Sequence, residues 1–224
     1  MCSILYIEGQ AVKLFNKDTI LLLFNYLREY GADGYGLFMS RIDGIYRIVT
    51  SLDYEEVICA ISERELQLAD TLILHARAGT HGAVDIVNSY PIYTISRDVA
   101  YVTFMRGEVD RSLLPPPYDS MLDKYVEDGY SDAWIVHELC MKKMFNIVER
   151  LGIDVVHIHV RGSKRRVYII DNSGESGRDY IDGSLIYASP RDVLVDVRNV
   201  LKQLRRTSRR CRGRDIFHIY RPSR

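Results

Sequence analysis

The sequence His75-Ala76-Arg77-Ala78-Gly79-Thr80-His81-Gly82 is followed, after five residues, by Asn88-Ser89-Tyr90-Pro91. The largely apolar residues 71–74 before it are typical of a buried strand, which would deliver the polar stretch at its end. A guanidinium such as that of Arg77 fits a carboxylate through two parallel hydrogen bonds, although it is also a common partner in surface ion pairs. We therefore expect a functional site to be organised around residues 75–91.

The second feature is the cysteine that follows Met1. Removal of Met1 would leave Cys2 as the first residue, with a free amine and a thiol on the same residue. An α-amino group has a pKa of about 7.7–8.0, so at neutral pH it can act as the base that generates a reactive thiolate. The alternative is that Cys2 is a small buried residue opening the apolar strand predicted for residues 3–7.

The composition is that of an ordinary globular protein. The 224 residues are 47% hydrophobic and 27% charged, with a formal net charge of zero, so the chain as a whole indicates neither nucleic acid nor a membrane as its partner. The longest aliphatic run, Ile20–Phe24, is too short to span a bilayer, and no secretory leader opens the sequence. We therefore predict a cytoplasmic protein.

Neither cysteine nor histidine spacing predicts a metal site. The four cysteines are far apart and form no Cys-x-x-Cys pair, which argues against structural zinc and against a disulfide framework. His157 and His159 lie two residues apart on a predicted strand, but no carboxylate or cysteine at ligand spacing accompanies them. These histidines are predicted to be packing residues, and no cofactor is predicted.

Hydrophobic periodicity and capping residues predict a mixture of strands and helices. Strands are predicted at 3–7, 37–40, 46–50, 71–75, 99–104, 155–160, 166–171, 184–188 and 216–220, with 11–14 as a hairpin partner of the first. Helices are predicted at 18–30, 53–68, 131–151 and 191–206, and three prolines predict a loop at 113–118. Because strands and helices cluster rather than alternate, the pattern favours a layered α+β domain with two packed sheets and helices outside.

The sequence resembles the class II glutamine amidotransferase domain, a divergent member of the N-terminal nucleophile hydrolase family. That family's motif H-T-R-W-A-T-H-G, five residues and N-A-H-P aligns without a gap on residues 75–91. Residues 31–36 are similar to its R-G-x-D-S-A-G turn, Ser131-Asp132 to its S/T-D-S/T step, and residues 188–195 to its late A-S-E-x-x-A-L segment. The resemblance implies a four-layer αββα sandwich over residues 1–200, and residues 201–224 are predicted to form a basic C-terminal extension.

The resemblance also implies a role for each matching residue. Cys2 would attack the side-chain amide of glutamine, giving glutamate and ammonia, and Arg77 would bind the α-carboxylate of the substrate. Asp132 would bind its α-ammonium group, helped by the backbone of Gly107. Thr80 and His81 would lie in a loop that closes over glutamine. Without the resemblance, Arg77 is open to interpretation as a surface ion-pair partner, Asp132 as a helix cap and His81 as a turn residue.

One departure from the family pattern affects catalysis. Where the family has His-Asn-Gly, this chain has Met105-Arg106-Gly107, so the glycine donor to the oxyanion is kept and the asparagine is absent. Loss of one such donor typically lowers the rate about 10²–10³-fold, although Arg106 could offer a charged donor instead. Two hypotheses follow: a working amidase, or an amidotransferase-fold protein that has lost turnover and acts as a binding module.

The remaining predictions concern partners. Ammonia needs an acceptor, and no synthase domain follows the matching region, so a stand-alone glutaminase or a subunit with a synthetase partner is predicted. Residues 202–214 contain seven basic residues and no acid. They predict either a solvated helix end, favoured by the helix dipole, or a surface for nucleic acid or an acidic partner.

Overall fold

The computed structural model describes residues 2–79, 83–181 and 183–211, and a six-stranded antiparallel sheet lies at its centre. Its strands, in spatial order, are β3 (Tyr46–Ser51), β2 (Gly34–Ser40), β4 (Thr71–Arg77), β1 (Ser3–Glu8), β10 (Ser184–Ser189) and β9 (Gly177–Ile181). The neighbouring strands β1 and β4 are buried almost throughout, as expected for apolar runs that are covered on both faces.

A second sheet of four antiparallel strands packs on the first. Its order is β5 (Ile92–Ser96), β6 (Val99–Arg106), β7 (Asp154–Arg161) and β8 (Lys164–Asp171). The turn Gly162-Ser163 joins β7 and β8, which confirms the strand pair predicted there.

The side chains of β1 show how the layers are stacked. Ile4 and Tyr6 belong to the core shared with the four-stranded sheet, whereas Leu5 and Ile7 pack in a separate core with helices. The helices of that second core are α1 (Lys17–Leu27), α2 (Tyr54–Cys59), α3 (Glu63–Leu68) and α7 (Asp192–Cys211). The outer face of the four-stranded sheet is covered by α4 (Tyr118–Glu127), α5 (Ala133–Met141) and α6 (Phe145–Val148). The predicted αββα sandwich of the α+β class is confirmed.

The hairpin partner predicted for the first strand is wrong. Residues Gln10–Leu14 form a 3₁₀ helix, entered through Gly9 at φ 112° and held by a hydrogen bond from Ala11 N–H to Ser184 Oγ (2.9 Å). The partners of β1 are instead β4 and β10, which are distant in the sequence. Local periodicity carries no information about such partners.

Two helices predicted as continuous are each interrupted. The first divides into α2 and α3, which begin at their own side-chain caps, Asp53 and Ser62. The second divides into α5 and α6 around Lys143, whose φ of 60° cannot continue a right-handed helix.

Four of the described elements were not predicted, namely β5, β9, α4 and a short 3₁₀ helix at Arg111–Leu113. The strand predicted at 216–220 lies outside the described residues. Helix α7 runs without a break through residue 200, and the division of the chain there stays a prediction. Among the helices that the structure describes, none combines the length and apolarity needed to cross a membrane.

Candidate active site

Pairing of the two central strands brings the N-terminus to the stretch around Arg77. Ser3 pairs with Ala76, so Cys2 lies at the point where β4 ends. The backbone N–H of Ala78 donates to Cys2 Sγ at 3.4 Å, and the sulfur lies 3.6 Å from the carbonyl oxygen of the same residue. The two features that the sequence singled out are therefore in direct contact.

The glycine-containing turn of residues 31–36 packs directly on this stretch. A Cβ on Gly36 would lie 1.8 Å from the carbonyl oxygen of Tyr90, and one on Gly31 would lie 2.5 Å from the carbonyl carbon of Arg77. Between them, Asp33 donates its N–H to Arg77 O and accepts the N–H of Gly79, both at 2.8 Å. The turn needs glycine because the two backbones touch, and it holds the end of β4 in place.

Arg77 is an interior residue. Its side chain is 2% exposed and donates from Nη1 to the carbonyl oxygen of Ala83 at 3.2 Å. That burial does not fit the alternative of a surface ion pair. Thr80 and His81, predicted to bind substrate from the same loop, lie outside the described residues.

Asn88 joins the loop after β4 to the start of α5. Its buried side chain accepts the N–H of Ser131 at 2.6 Å and donates to the carbonyl oxygens of Gly129 (3.0 Å) and Ala83 (3.3 Å). This asparagine matches the motif of residues 75–91, but no role was predicted for it. Its position in the motif was the available signal, since the three partners cannot be read from the sequence.

Asp132 occupies the N-cap position of α5 without forming a side-chain cap. Its Oδ2 accepts instead the backbone N–H of Val109 at 2.9 Å, and the residue is 6% exposed. The carboxylate is thus fixed on the segment that follows β6 and Gly107. The helix start was predicted correctly, but the side chain of Asp132 does not cap the helix as the alternative interpretation required.

The electrostatic environment of Cys2 reflects these neighbours. Burial raises the pKa of the Cys2 thiol, the hydrogen bond from Ala78 and the charge of Arg77 lower it, and the carboxylate of Asp132 raises it. The net effect is a thiol that stays protonated at neutral pH. A nucleophilic role for this sulfur therefore requires a base.

Gly107 and Arg106 lie at the end of β6 beside the backbone of Cys2. Gly107 has φ +118°, and a Cβ there would lie 2.8 Å from Ile153 Cγ2, so both the backbone angle and the space require glycine. Arg106 is 3% exposed, and its Nε donates to the carbonyl oxygen of Cys2 at 3.1 Å. Its Nη2 forms an ion pair with Glu175, and its Nη1 lies 3.7 Å from Asp154 Oδ2.

Asp154 fixes this arginine from the interior. Its carboxylate is fully buried and accepts hydrogen bonds from Ser173 N (2.9 Å), Asn172 N (3.1 Å) and the hydroxyls of Ser173 and Ser189 (2.5 Å each). The resulting network ties Arg106 to the backbone of Cys2. Asp154 was not predicted as a functional residue, and its place at the start of an apolar strand was the available signal.

A neutral histidine lies on β4, two residues before Arg77. His75 is fully buried, its Nε2 lies 3.1 Å from Met105 O and its ring lies 4.2 Å from that of Tyr90. Burial lowers the pKa of His75 to about 3, so it is uncharged at neutral pH and packs as a hydrogen-bonded ring.

The histidines considered as metal ligands do not form a metal site among the described residues. His157 Nδ1 is hydrogen-bonded at 2.8 Å to Thr103 Oγ1, which also contacts His137 Nδ1 at 2.8 Å. The interpretation of His157 as a packing residue fits this geometry.

The same fold occurs in at least two solved structures. The chain superimposes on glutamine phosphoribosylpyrophosphate (PRPP) amidotransferase from B. subtilis, complexed with ADP and GMP, with a TM-score of 0.56 and 15% identity, covering 88% of this chain and 43% of that one. It also superimposes on the allosteric regulatory enzyme of purine biosynthesis, with a TM-score of 0.61 and 14% identity, covering 90% and 43%. The chain therefore spans less than half the length of these neighbours. No protein-family model and no curated protein matches the sequence. At this identity the likeness concerns the fold, and it confirms the N-terminal nucleophile hydrolase fold predicted from the sequence.

Proposed function

We propose that this protein hydrolyses the side-chain amide of glutamine to glutamate and ammonia, with Cys2 as the nucleophile. The observation that carries the proposal is the contact of Cys2 Sγ with the backbone of Ala78, next to the buried Arg77 and within the electrostatic reach of Asp132. A nucleophile, a cation and a carboxylate thereby surround one point at the ends of β1 and β4. The fold shared with amidotransferases supports the same reaction.

The chemistry requires that Met1 be removed, because a peptide-bonded nitrogen cannot act as the base. The freed α-amino group then takes the proton of the thiol while Sγ forms a bond to the amide carbon of glutamine. When the tetrahedral intermediate collapses, the ammonium returns that proton to the departing nitrogen, and ammonia leaves. Water, activated by the same amine, attacks the thioester and releases glutamate with the thiol restored. No cofactor takes part.

Substrate recognition uses the two charges beside the nucleophile. Arg77 would bind the α-carboxylate through its guanidinium, and Asp132 would bind the α-ammonium group. Both side chains are already fixed, Arg77 by Ala83 O and Asp132 by Val109 N–H. Thr80 and His81 are proposed to close over the bound substrate. Side chains that are fixed before binding lose little conformational entropy when the substrate binds, so less of the binding free energy is lost.

The oxyanion would be stabilised by the backbone N–H of Gly107. Arg106, which the sequence offered as a replacement donor to the oxyanion, is proposed instead as a positioning residue, because its contacts favour anchoring of Cys2. Its Nε is engaged with Cys2 O, while its terminal nitrogens face Glu175 and Asp154. We therefore assign Arg106 the role of holding the nucleophile's backbone.

The test is a measurement of glutamate and ammonia release by protein whose N-terminus has been verified by intact mass. Cys2→Ala is expected to lower the rate by at least about 10³-fold, because the residue supplies the attacking atom. Arg77→Gln should chiefly raise KM, and Cys59→Ala, at an exposed cysteine, is the matched control. Turnover that persists in Cys2→Ala would end the proposal.

A second candidate is a protein that keeps the glutamine pocket but has lost turnover. It is favoured by one observation: the residue in place of the family's asparagine is held in ion pairs. The double variant Arg106→Asn/Asp154→Asn restores an amide donor and leaves no unpaired buried charge from the pair, since Glu175, the other partner of Arg106, is largely exposed. A rise in rate would identify the missing donor as the defect, whereas a fall would support the anchoring role. Labelling of Cys2 by a glutamine-analogue electrophile without turnover would support the second candidate.

The partners are also proposals. The neighbours are more than twice as long as the matched region, and we propose that a synthetase partner subunit accepts the ammonia. The basic residues 202–214 are proposed to contact nucleic acid or an acidic partner, and a shift in RNA mobility that disappears with added salt would test this. A cytoplasmic location is proposed from the sequence.

A further inference from the structure

The outer face of the four-stranded sheet changes along β7 from covered aromatic residues to exposed basic residues. His157 lies opposite Thr103 and Tyr168, and α6 covers this part of the sheet, with the ring of Phe145 stacked 4.4 Å from that of Tyr168. Cross-strand partners lie on the same face of a sheet, so the next residues on this face are His159, opposite Tyr101 and Arg166, and then Arg161, opposite Lys164. The arginine and lysine side chains at this end of the face are exposed.

These residues line a surface groove with a volume of about 610 Å³, which we call the basic groove. It is bordered by Lys143 from the α5–α6 junction and by Arg161, Lys164 and Arg166 from the β7–β8 hairpin. The turn Gly162-Ser163, His159 and Asp98 complete the lining. Three separate segments of the chain contribute to it. Its volume is in the range typical of small-molecule sites, which is roughly 300–1,000 Å³.

The charges in the basic groove are not balanced. Asp98 is its one lining carboxylate, and it pairs with Arg161 at 3.0 Å. Within the part of the chain that the structure describes, no carboxylate lies within ion-pair distance of Lys143, Lys164 or Arg166. A chain with a net charge of zero thus concentrates unpaired positive charge in one concavity.

The surroundings of His159 also show that positive charges lie close together in the groove. Burial lowers the pKa of His159, and the charges of Lys143, Arg166 and Arg161 lower it further. The imidazole stacks on Tyr101 with ring centroids 4.9 Å apart, and its buried Nε2 has no hydrogen-bond partner among the described residues. The positive charges of Lys143, Arg161 and Arg166 therefore all lie close enough to the His159 ring to lower its pKa.

We propose that the basic groove binds a small ligand carrying several phosphate groups, held by Lys143, Lys164 and Arg166. Guanidinium groups bind phosphate oxygens bidentately, and lysines add point charges that adapt to the position of the phosphate. The cations ring one cavity rather than following an extended stripe, which favours a small ligand over a nucleic-acid strand. The groove lies about 23 Å from the Arg106–Asp154 end of β7, at about 3.3 Å per strand residue, so the proposal does not rest on the amidase reaction.

The experiment is calorimetric titration of the full chain with sodium tripolyphosphate at moderate ionic strength. The unmodified protein should bind, and Lys164→Gln/Arg166→Gln should weaken binding by at least about tenfold, since two charge-assisted contacts are removed. Lys13→Gln/Lys124→Gln removes two exposed lysines outside the groove and should bind as tightly as the unmodified protein. The ring resonances of His159 should shift on addition of tripolyphosphate.

A second variant protects the test against misfolding. Lys143→Asn removes one charge and keeps a residue type that tolerates the left-handed backbone at φ 60°, and it should also weaken binding. Equal affinities in the two double variants, or no heat and no His159 shift at millimolar tripolyphosphate, would overturn the proposal. Binding of a short single-stranded RNA that the groove variants lose, without binding of tripolyphosphate, would overturn it in favour of nucleic acid.

Discussion

The two ends of strand β7 place charged side chains in opposite environments. At its first residue, Asp154 is fully buried and faces Arg106, which is 3% exposed. At its last residue, Arg161 is 68% exposed and pairs with Asp98, which is 62% exposed. Ionic groups that leave water must be compensated by fixed partners, whereas exposed ions keep their hydration and their freedom to move.

The difference in burial gives the charged residues at the two ends of β7 different roles, one structural and one in ligand binding. The buried end is tied into a network that includes two serine hydroxyls and the carbonyl oxygen of Cys2, so its charges fix a backbone position. The exposed end leaves Lys164 and Arg166 without carboxylate partners among the described residues, so its charges remain available to a ligand. Substitutions along β7 should therefore reduce the stability of the protein most at its first residue and least at its last.

The largest expected effect is at the buried end. Asp154→Ala removes the acceptor of four hydrogen bonds and leaves the interior Arg106 without one of its carboxylates. Breaking a buried pair in this way typically destabilises a protein by about 3–5 kcal/mol. Urea unfolding followed by circular dichroism measures the loss, and a change of less than about 1 kcal/mol would contradict the structural role given to the network.

A smaller effect per residue is expected in the middle of the strand, where His157 and the α5 residue His137 share a contact with Thr103, as a pH dependence of stability. Burial lowers the pKa of His157 to about 3 and that of His137 to about 4, whereas both residues titrate near about 6.5 in an unfolded chain. Below that pH the unfolded state binds protons that the folded state does not. Stability is therefore complete above about pH 6.5 and falls as the pH decreases towards the folded-state pKa values, with a slope of about 1.4 kcal/mol per pH unit for each histidine near pH 5.

The measurement is urea unfolding at several pH values between about 7 and 5. His137→Gln serves as the comparison, because it retains hydrogen-bonding capacity towards Thr94 and Thr103 while removing one titrating group. Its stability should fall less steeply with acid than that of the unmodified protein. Equal slopes for the two proteins would show that His137 is not held neutral by the fold.

The smallest effect is expected at the exposed end. Arg161→Ala removes an ion pair between two exposed side chains, an arrangement that contributes little to stability in water. The midpoint of urea unfolding should be unchanged, while the affinity of the basic groove for tripolyphosphate decreases modestly. A marked loss of stability would contradict the distinction drawn between the two ends.

Most strands could be predicted from the sequence because the apolar runs are local. Strands β1, β4, β7 and β10 are buried almost throughout, and their composition alone indicates this. The edge strand β5 and the polar β9 were missed because they lack such runs. The helix break at Lys143 was missed because lysine is not a residue type that indicates a left-handed backbone.

The sequence by itself determined the fold class and the motif of residues 75–91, because hydrophobic pattern and motif spacing are properties of neighbouring residues. Tertiary structure alone decided which polar groups meet. It directed Asp132 to Val109 N–H instead of to its own helix, and Arg106 to Cys2 O and Asp154. The choice depends on groups from distant segments, since a buried charge takes whichever partners the completed fold places within reach.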